Sequence, residues 1–434
     1  MKQLAFRSFY KTCERIRNPS LGETYKLLKE SEKWSRDKLA AYQLGRLSDL
    51  LNFAYKHSTF YRKRLSQGGY SPGELTSFDI LKSIEPLPKD VLREQKDHIH
   101  TISSASFSKL RIAETSGSTG QPLMFWRDES WDSWNRASMF RGMSWHEVYP
   151  WDRNGYFWGY NIDPKAAWKV KLLDALQNRF RLFSYSDEEL NHFIENLSEA
   201  KFLQGYSSMI YEVAKIINSN DIGLPPLNLK LVKGTSEKIY DHYHAESEKA
   251  FGKRIVSEYG AAETGIIAFE CPAGSMHLNV ESCIVEEVDN ELLVTNLNSY
   301  SFPVIRYRLG DTIKLADKNH VCSCGMQHPV LIEVTGRVGK KVYGVNKTYP
   351  SLTFYYVTKN IYLQKGIPVD CQFVQKEKGI ISILIESSSG PEIAALINEQ
   401  MLSYFGDDMK WTIVPDSVIH SKKGKRKDFI SELD

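Results

Sequence analysis

The residues best suited to chemistry lie in the stretch 115–123, Thr-Ser-Gly-Ser-Thr-Gly-Gln-Pro-Leu. Two glycines and four hydroxyl-bearing residues come first: Thr115, Ser116, Gly117, Ser118, Thr119 and Gly120. Glycine lets the backbone turn and approach a ligand closely, and backbone N–H groups and hydroxyls can donate to an anion. The pattern indicates a phosphate-binding loop, although a solvated Ser/Gly loop has the same composition. Gln121 and Pro122 follow where the ordinary P-loop has Lys and Ser or Thr, which excludes that class.

A second group of residues is typical of a metal site. Cys271 and His277 are close in sequence, and Cys322 and Cys324 follow within a Cys-Ser-Cys-Gly motif. Three thiolates and one imidazole are a standard ligand set for tetrahedral, structural Zn²⁺. Free cysteines are also common in protein cores, so buried thiols without a metal are the alternative. The other cysteines are expected to be ordinary core or surface residues: Cys13, Cys283 and Cys371.

The composition is typical of a soluble globular protein. The chain has 434 residues, of which 42% are hydrophobic and 25% charged, and its formal net charge is +3. That length is too great for one ordinary domain, and the net charge is too small to indicate a nucleic-acid partner. Six cysteines in a chain of this size do not form a disulfide scaffold.

Targeting and membrane signals are not found in the sequence. Charged residues interrupt the apolar residues near the N-terminus, among them Arg7, Lys11 and Glu14, which is unlike a secretory signal. The sequence has no run of about 18 apolar residues, so no membrane span is expected. Together with reduced thiols, these features predict a cytoplasmic protein.

The positions of apolar residues predict which elements hold these groups. Helical spacing in 30–65 predicts one or two amphipathic helices. Strands and helices then alternate, which is typical of α/β layers. The predicted strands are 123–126, 156–160, 229–232 and 255–259, and the predicted helices are 128–143, 188–202, 209–218 and 239–251.

The pattern changes in the last third of the chain. From 277 to 314 apolar residues recur at every second position, which predicts antiparallel β structure with a hairpin turn at Asp289-Asn290. Farther on, helices at 350–360 and 391–405 and strands at 371–374 and 380–385 predict a small α+β unit. The chain is therefore expected to divide near Gly339 into a large domain, 1–338, and a small domain, 339–434.

Four more motifs follow the Ser/Gly loop: Tyr259-Gly260-Ala261-Ala262-Glu263, Arg306-Tyr307-Arg308-Leu309-Gly310-Asp311, Gly336-Arg337 and Gly424-Lys425. In order and separation the five motifs closely resemble the core motifs of the adenylate-forming enzymes, which include acyl-CoA ligases, nonribosomal adenylation domains and luciferases. Phe60-Tyr61, Leu87-Pro88-Lys89 and Glu270-Cys271 resemble the phenylacetate–CoA ligase branch, especially its CapK-type capsular-polysaccharide members. The resemblance covers essentially the whole chain.

The resemblance implies a fold and a reaction. The expected fold is a large N-terminal α/β domain with a β-barrel-like segment, followed by a small, mobile α+β domain. The expected reaction activates a carboxylic or amino acid with ATP and Mg²⁺ as an acyl-adenylate and releases pyrophosphate. The acyl group then passes to CoA, a carrier thiol or an amine such as an amino sugar, in cell-surface polysaccharide assembly. A non-catalytic nucleotide-binding or scaffold protein that kept the fold is the alternative.

The resemblance also implies roles for individual residues. The loop from Thr115 to Gly120 would hold the ATP phosphates, Glu263 would bind Mg²⁺, and Lys425 would stabilise the charge on the reacting carboxylate and α-phosphate. Further expected nucleotide contacts are Ser236, Glu237, Tyr259 (adenine), Gly260, Asp311 (ribose) and Arg337. Expected acyl-pocket residues are Trp158, Tyr160, Tyr206 and Gly234, and the expected hinge is Lys340.

Other interpretations and departures from the family pattern accompany these roles. Glu263 could instead stabilise a helix N-terminus, and the basic run around Lys425 could be a solvated tail. Ala262 replaces the usual Thr or Ser, which removes one hydroxyl contact to the α-phosphate. Gln121 replaces a common Lys, and Lys340 and Lys341 occupy the hinge position, which is often Asp but is also Lys in the family. These departures bear on the rate more than on the type of reaction.

Overall fold

The computed structural model describes residues 2–115, 123–157, 164–183, 186–237, 239, 241–289, 291–335, 341–365, 369, 371–385, 390–415, 417 and 429–433. The chain divides into two compact units. Unit 1 comprises Met1–Ala113 and Phe125–Arg337, and unit 2 comprises Glu114–Met124 and Val338–Asp434. The division after Arg337 lies beside the boundary expected near Gly339. The grouping of Glu114–Met124 with unit 2 was not indicated by any sequence pattern.

Helices dominate the N-terminal part of unit 1. Its elements are α1 (Lys2–Arg17), α2 (Leu21–Ser31), α3 (Arg36–His57), α4 (Thr59–Gln67), α5 (Ile80–Ser83), α6 (Lys89–Glu94), α7 (Lys96–Ile99), β1 (Leu110–Glu114) and β2 (Met124–Asp128). The predicted amphipathic region 30–65 is confirmed as α3 and α4, which separate at Ser58, where the hydroxyl caps α4 by accepting a hydrogen bond from Tyr61 N. None of the helices in the described part of the chain combines the length and apolar composition that a membrane span requires.

An alternating α/β layer follows. Its elements are α8 (Glu129–Trp145), β3 (Asn154–Phe157), α9 (Pro164–Leu176), β4 (Arg179–Arg181), α10 (Asp187–Glu195), β5 (Phe202–Tyr206), α11 (Ser207–Ser219), β6 (Leu231–Thr235), α12 (Asp241–Phe251) and β7 (Ile255–Ala261). The strands β4, β3, β5, β6 and β7 are neighbours in this order and pair in parallel. The α/β prediction is therefore confirmed.

One element of that layer contradicts the sequence prediction. The predicted helix 188–202 ends at Glu195, a 3₁₀ turn follows at Asn196–Glu199, and Phe202 begins the strand β5. All five residues of β5 are buried. A short strand covered on both faces has no alternating pattern, so its first residue, Phe202, was counted with the apolar residues of the preceding helix.

Antiparallel strands complete the large sheet. They are β8 (Gly265–Glu270), β9 (Met276–Leu278), β10 (Cys283–Val288), β11 (Glu291–Asn296), β12 (Val304–Leu315) and β13 (Val330–Thr335). The β10–β11 hairpin is confirmed where it was predicted. Among the described residues one sheet runs β10-β11-β12-β13-β9-β8-β7-β6-β5-β3-β4. The segment expected to be barrel-like therefore forms the antiparallel part of the same sheet. The β7–β8 hairpin joins this antiparallel part to the parallel part.

A buried ion pair fixes helix α8 to this sheet. Arg141 Nη1 lies 2.7 Å from Glu281 Oε1, and both side chains are at most 1% exposed. His328 Nε2 lies 2.8 Å from the same oxygen, and the hydroxyl of Ser31 also donates to it. Burial raises the pKa of the Glu281 carboxyl, but the charges of Arg141 and His328 lower it more, so the net shift is downward. Groups from α2, α8 and two loops therefore meet at one carboxylate.

Unit 2 has its own core. Its elements are β14 (Lys341–Tyr343), β15 (Thr348–Pro350), α13 (Leu352–Lys365), β16 (Cys371–Glu377), β17 (Ile380–Ile385), α14 (Gly390–Phe405), β18 (Lys410–Val414) and β19 (Phe429–Ser431). Strands in the order β18-β17-β16-β19 form a sheet. Apolar residues of this sheet and of the two helices pack together, among them Phe354, Phe373 and Ile397. The predicted α+β character of this part is confirmed.

Candidate functional site

The β7–β8 hairpin carries the Tyr-Gly-Ala-Ala-Glu motif. Ala261 lies opposite Gly265 in this antiparallel pair, so Glu263 is in the hairpin turn and not at the start of a helix. The interpretation of Glu263 as a helix N-terminal acid is therefore wrong. A Cβ atom at Gly260 would collide with the carbonyl oxygen of Gly265. Glycine at this position is thus required by the close approach of the two strands.

Tyr259 and Asp311 are joined by a hydrogen bond. The Tyr259 hydroxyl donates to Asp311 Oδ2 at 2.6 Å, across 52 residues of sequence. A hydroxyl–carboxylate bond of this length is charge-assisted and strong. This bond fixes the orientation of the Tyr259 ring. The Asp311 carboxylate can accept further hydrogen bonds at the same time, since a carboxylate has several acceptor sites. The pair is therefore compatible with a ring that stacks on adenine and a carboxylate that accepts ribose hydroxyls.

Glu263 is held by the strand that carries Asp311. The hydroxyl of Tyr307, which is fully buried in β12, donates to Glu263 Oε1 at 3.1 Å. The backbone oxygen of Glu263 accepts from Asn296 Nδ2 at 3.1 Å. Glu263 is 3% exposed. Its carboxylate offers the hard oxygen donors that Mg²⁺ prefers. Tyr307 was not assigned a role from the sequence, although its place between two arginines in a strand pattern indicated a buried position.

The Leu87-Pro88 passage anchors strand β12. Leu87 N donates to the Arg306 carbonyl at 2.7 Å, and Arg308 N donates to the Leu87 carbonyl at 2.9 Å. The Arg306 guanidinium lies 2.9 Å from Glu286, and Arg308 lies 3.3 Å from Glu291. Both arginines of the motif therefore make structural ion pairs, and the anchored strand brings Tyr307 and Asp311 to the β7–β8 hairpin.

Thr115 and Leu123 close the base of the Ser/Gly loop. Thr115 N donates to the Leu123 carbonyl at 3.0 Å, and Leu123 N donates to Thr115 Oγ1 at 3.1 Å. The Thr115 hydroxyl thus accepts a bond that stabilises the loop base. In the adjoining strand β2, Arg127 Nη2 donates to the carbonyl of Ala262 at 3.0 Å. This contact links the strand that follows the loop to the residue beside Glu263.

The segment after β6 has a structural function that the motif did not predict. Glu237 Oε2 accepts from Ser208 N at 2.9 Å, in the first turn of α11. Burial raises the pKa of the Glu237 carboxyl. A Cβ atom at Gly234 would collide with the hydroxyl of Ser207, so packing against α11 requires glycine there. Ser236 has a left-handed backbone, φ 71°, which marks a tight turn at the end of the strand.

Several predicted site residues lie outside the described residues, and their roles remain predictions. They are Ser116, Gly117, Ser118, Thr119, Gly120, Trp158, Tyr160, Arg337, Lys340 and Lys425. Of the two described acyl-pocket candidates, Gly234 packs against α11, and Tyr206 is buried at the end of β5.

The four predicted metal ligands come together in unit 1. One ligand atom from each of Cys271, His277, Cys322 and Cys324 lies within 4.8 Å of all the others. Of the remaining cysteines, Cys13 is exposed, and Cys283 and Cys371 are buried.

Sequence comparisons give two curated relatives. Protein CapK of Staphylococcus aureus is 24% identical over 409 residues, which are 89% of this chain and 88% of CapK. Indoleacetate–lysine synthetase of Pseudomonas savastanoi is 31% identical over 136 residues, which are 30% of this chain and 33% of that protein. No protein-family model matches the chain.

Solved structures share the fold over nearly the whole chain. 2-Hydroxyisobutyryl-CoA ligase, with 2-HIB-AMP and CoA in the thioesterification state, superposes with a TM-score of 0.64 and 18% identity, covering 93% of this chain and 92% of that chain. The same ligase in its postadenylation state, in complex with R3-HIB-AMP, gives a TM-score of 0.59 and 16% identity over the same shares. The resemblance found in the motifs is therefore confirmed: this chain is a distant homologue of CapK and has the fold of the adenylate-forming ligases.

Proposed function

We propose that this protein is an AMP-forming ligase of the phenylacetate–CoA ligase type. In the first half-reaction a carboxylate oxygen attacks the α-phosphorus of ATP, the bond to the β-phosphate oxygen breaks, and pyrophosphate leaves. In the second, a thiol or amine attacks the acyl carbon of the adenylate, and AMP leaves with the bonding electron pair. ATP, Mg²⁺ and a small-molecule acid are the required reactants.

The contact between the β7–β8 hairpin and β12 carries this proposal. Tyr259 and Asp311 are hydrogen-bonded to each other, and Glu263 is hydrogen-bonded to Tyr307 of the same strand. The ring proposed to stack on adenine and the two carboxylates proposed to bind the ribose and Mg²⁺ belong to these two elements of unit 1, which supports the proposal. When bound, Mg²⁺ would neutralise phosphate charge, and Glu263 would hold it. A scaffold protein has no need for this set of groups.

The acceptor in the second half-reaction is a thiol or an amine. The solved ligase that shares the fold binds CoA, and the name of the Pseudomonas relative pairs an acid with lysine. The motif resemblance to CapK-type capsular-polysaccharide members leads us to propose a role in cell-surface polysaccharide assembly, with an amino sugar as one candidate acceptor; the chain is also similar to protein CapK over 89% of its length.

Acid-dependent exchange of labelled pyrophosphate into ATP tests the first half-reaction. Purified full-length protein with ATP, Mg²⁺ and a panel of carboxylic and amino acids is expected to show exchange with at least one acid class. Adding CoA or an amino sugar to the positive reaction then identifies the acceptor by product mass. ATP binding without exchange for any acid in a broad panel would favour the non-catalytic alternative.

Tyr307→Phe is expected to lower kcat for adenylation about five- to tenfold. The change removes the hydroxyl that positions Glu263 and keeps the buried ring, and one hydrogen bond of this kind contributes about 1 kcal/mol. The KM for ATP should change less than kcat, because Tyr259 and Asp311 keep their contact. Steady-state exchange kinetics measure both parameters.

Tyr61→Phe is the matched control. Tyr61 is also fully buried, and its hydroxyl donates to the Pro303 carbonyl at 2.9 Å beside β12. This variant should lose some thermal stability and keep kcat. Equal kcat losses in the two variants would mean that Tyr307 acts through general packing.

A further inference from the structure

Four side chains of types that commonly bind metals come together where the β8–β9 connection meets the loop between β12 and β13. Cys271 follows β8 and His277 lies in β9, whereas Cys322 and Cys324 lie in the loop between β12 and β13. Cys271 Sγ is 3.8 Å from Cys322 Sγ, and Cys324 Sγ is 3.2 Å from His277 Nε2. Cys271 and His277 are each 1% exposed. This cluster has no part in the adenylation site proposed above.

The distances fit a tetrahedral metal and exclude a disulfide. Ligands about 2.3 Å from a central Zn²⁺ at the tetrahedral angle place two sulfurs about 3.8 Å apart, and a sulfur and a nitrogen about 3.5 Å apart. The observed sulfur pair matches this value, and the sulfur–nitrogen pair is within a few tenths of an ångström of it. A disulfide needs its sulfurs at about 2.05 Å. The four groups are therefore spaced around a position that a metal ion can occupy.

The local sequence builds both cysteine turns. Gly274 and Gly325 have φ values of 81° and 86°, a conformation that residues with a side chain rarely adopt. Gly274 N donates to the Cys271 carbonyl at 2.8 Å, and Gly325 N donates to the Cys322 carbonyl at 3.0 Å. In the second turn Cys324 N also points at Cys322 Sγ, at 3.5 Å. An N–H group directed at sulfur stabilises the thiolate form, which is the form that binds metal.

The histidine is oriented as a ligand. Its Nδ1 lies 3.1 Å from the carbonyl oxygen of His328. A carbonyl can only accept, so Nδ1 carries the proton and Nε2 presents its lone pair to Cys324. Fixing a metal-binding imidazole through its other nitrogen is the usual arrangement around metal ions.

We propose that Cys271, His277, Cys322 and Cys324 bind one structural Zn²⁺ ion. Three thiolates and one imidazole select a soft-to-borderline divalent metal, and four protein ligands leave no open position for substrate. The ion ties the β12–β13 loop to the β8–β9 connection. Because that loop also contains His328, which contacts Glu281, the ion holds in place one of the groups around the buried ion pair. The adenylation reaction does not require it.

Elemental analysis of the purified full-length chain tests the site. The affinity tag is removed, since polyhistidine binds zinc, and no chelator is used. About one zinc per chain is expected for the unmodified protein, and less than a tenth of that for Cys271→Ala and for Cys322→Ala. Cys283→Ala is the matched control, because Cys283 is equally buried at 1% exposure and lies outside the cluster; this variant should keep its zinc.

A second measurement avoids variants that fail to fold. Removing the metal from the unmodified protein with a strong chelator should make the cluster thiols reactive and lower Tm by several degrees. Adding Co²⁺ should then produce the visible absorption of a tetrahedral thiolate site. The proposal is overturned if the reduced protein neither carries nor takes up zinc, if Cys271→Ala retains a full equivalent, or if peptide mapping finds a Cys271–Cys322 disulfide.

Discussion

Replacing Lys425 with alanine is expected to slow adenylate formation by about 10²–10³-fold. This is the usual rate loss when an enzyme loses one preorganised hydrogen-bond donor that stabilises charge in the transition state. Lys425 follows Gly424 in the C-terminal segment, in the position of the lysine expected to reach the reacting carboxylate and α-phosphate. Single-turnover formation of the acyl-adenylate measures the step directly. ATP affinity should fall much less, because Tyr259 and Asp311 belong to unit 1.

Neighbouring lysines provide the control for this prediction. Lys423 and Lys427 lie in the same basic run, so their alanine variants remove the same charge without removing the proposed catalytic group. Both should retain adenylation within about twofold, because salt screens charge effects that do not come from direct contact with the reacting groups. Unchanged adenylation in Lys425→Ala, or equal losses in all three variants, would remove Lys425 from the reaction.

Replacing Glu281 with glutamine is expected to lower the free energy of unfolding of unit 1 by about 3–5 kcal/mol, because it leaves a buried charge without its partner. The Arg141 guanidinium would keep its position, 1% exposed, and lose the carboxylate that now lies 2.7 Å away. All tryptophans except Trp411 belong to unit 1. Urea unfolding followed by tryptophan fluorescence therefore reports mainly on the unit that contains the pair.

An exposed ion pair of equal length is the matched control. Lys82 Nζ lies 2.7 Å from Asp79, with the two side chains 78% and 72% exposed. Asp79→Asn should leave the unfolding curve unchanged, since solvent screens such a pair. Arg141→Met combined with Glu281→Leu should be less destabilised than Glu281→Gln, because the unpaired Arg141 guanidinium is removed together with its partner. A loss below about 1 kcal/mol for Glu281→Gln would show that the Arg141 charge is solvated.

Local patterns in the sequence determined much of the fold. Asp128 caps α8 by accepting a hydrogen bond from Trp131 N, and the predicted start of that helix near Glu129 is confirmed. The β10–β11 hairpin follows from alternating apolar residues on either side of its turn. The cysteine cluster was also predictable, since Cys-Ser-Cys-Gly places two ligands within one turn. For the helix start, the hairpin and each half of the cluster, the residues that decide the structure are near neighbours in the chain, whereas the two halves of the cluster are 51 residues apart and meet only in the folded chain.

Tertiary structure decided how side chains far apart in sequence are used. The predicted helix 188–202 ran past the true helix end at Glu195 and took in Phe202, the first residue of β5, because the burial of that strand depends on its neighbouring strands. Glu237 is a predicted nucleotide contact, and the structure shows a further role that no motif indicated, since its carboxylate caps α11. Tyr259 pairs with Asp311 across 52 residues, and Tyr307 pairs with Glu263 across 44. Such pairs form only in the folded sheet, where β12 meets the β7–β8 hairpin although β13 and β9 lie between β12 and β8 in the strand order. The motifs therefore predicted the type of chemistry, whereas the packing of distant elements decided which of their side chains hold one another in place.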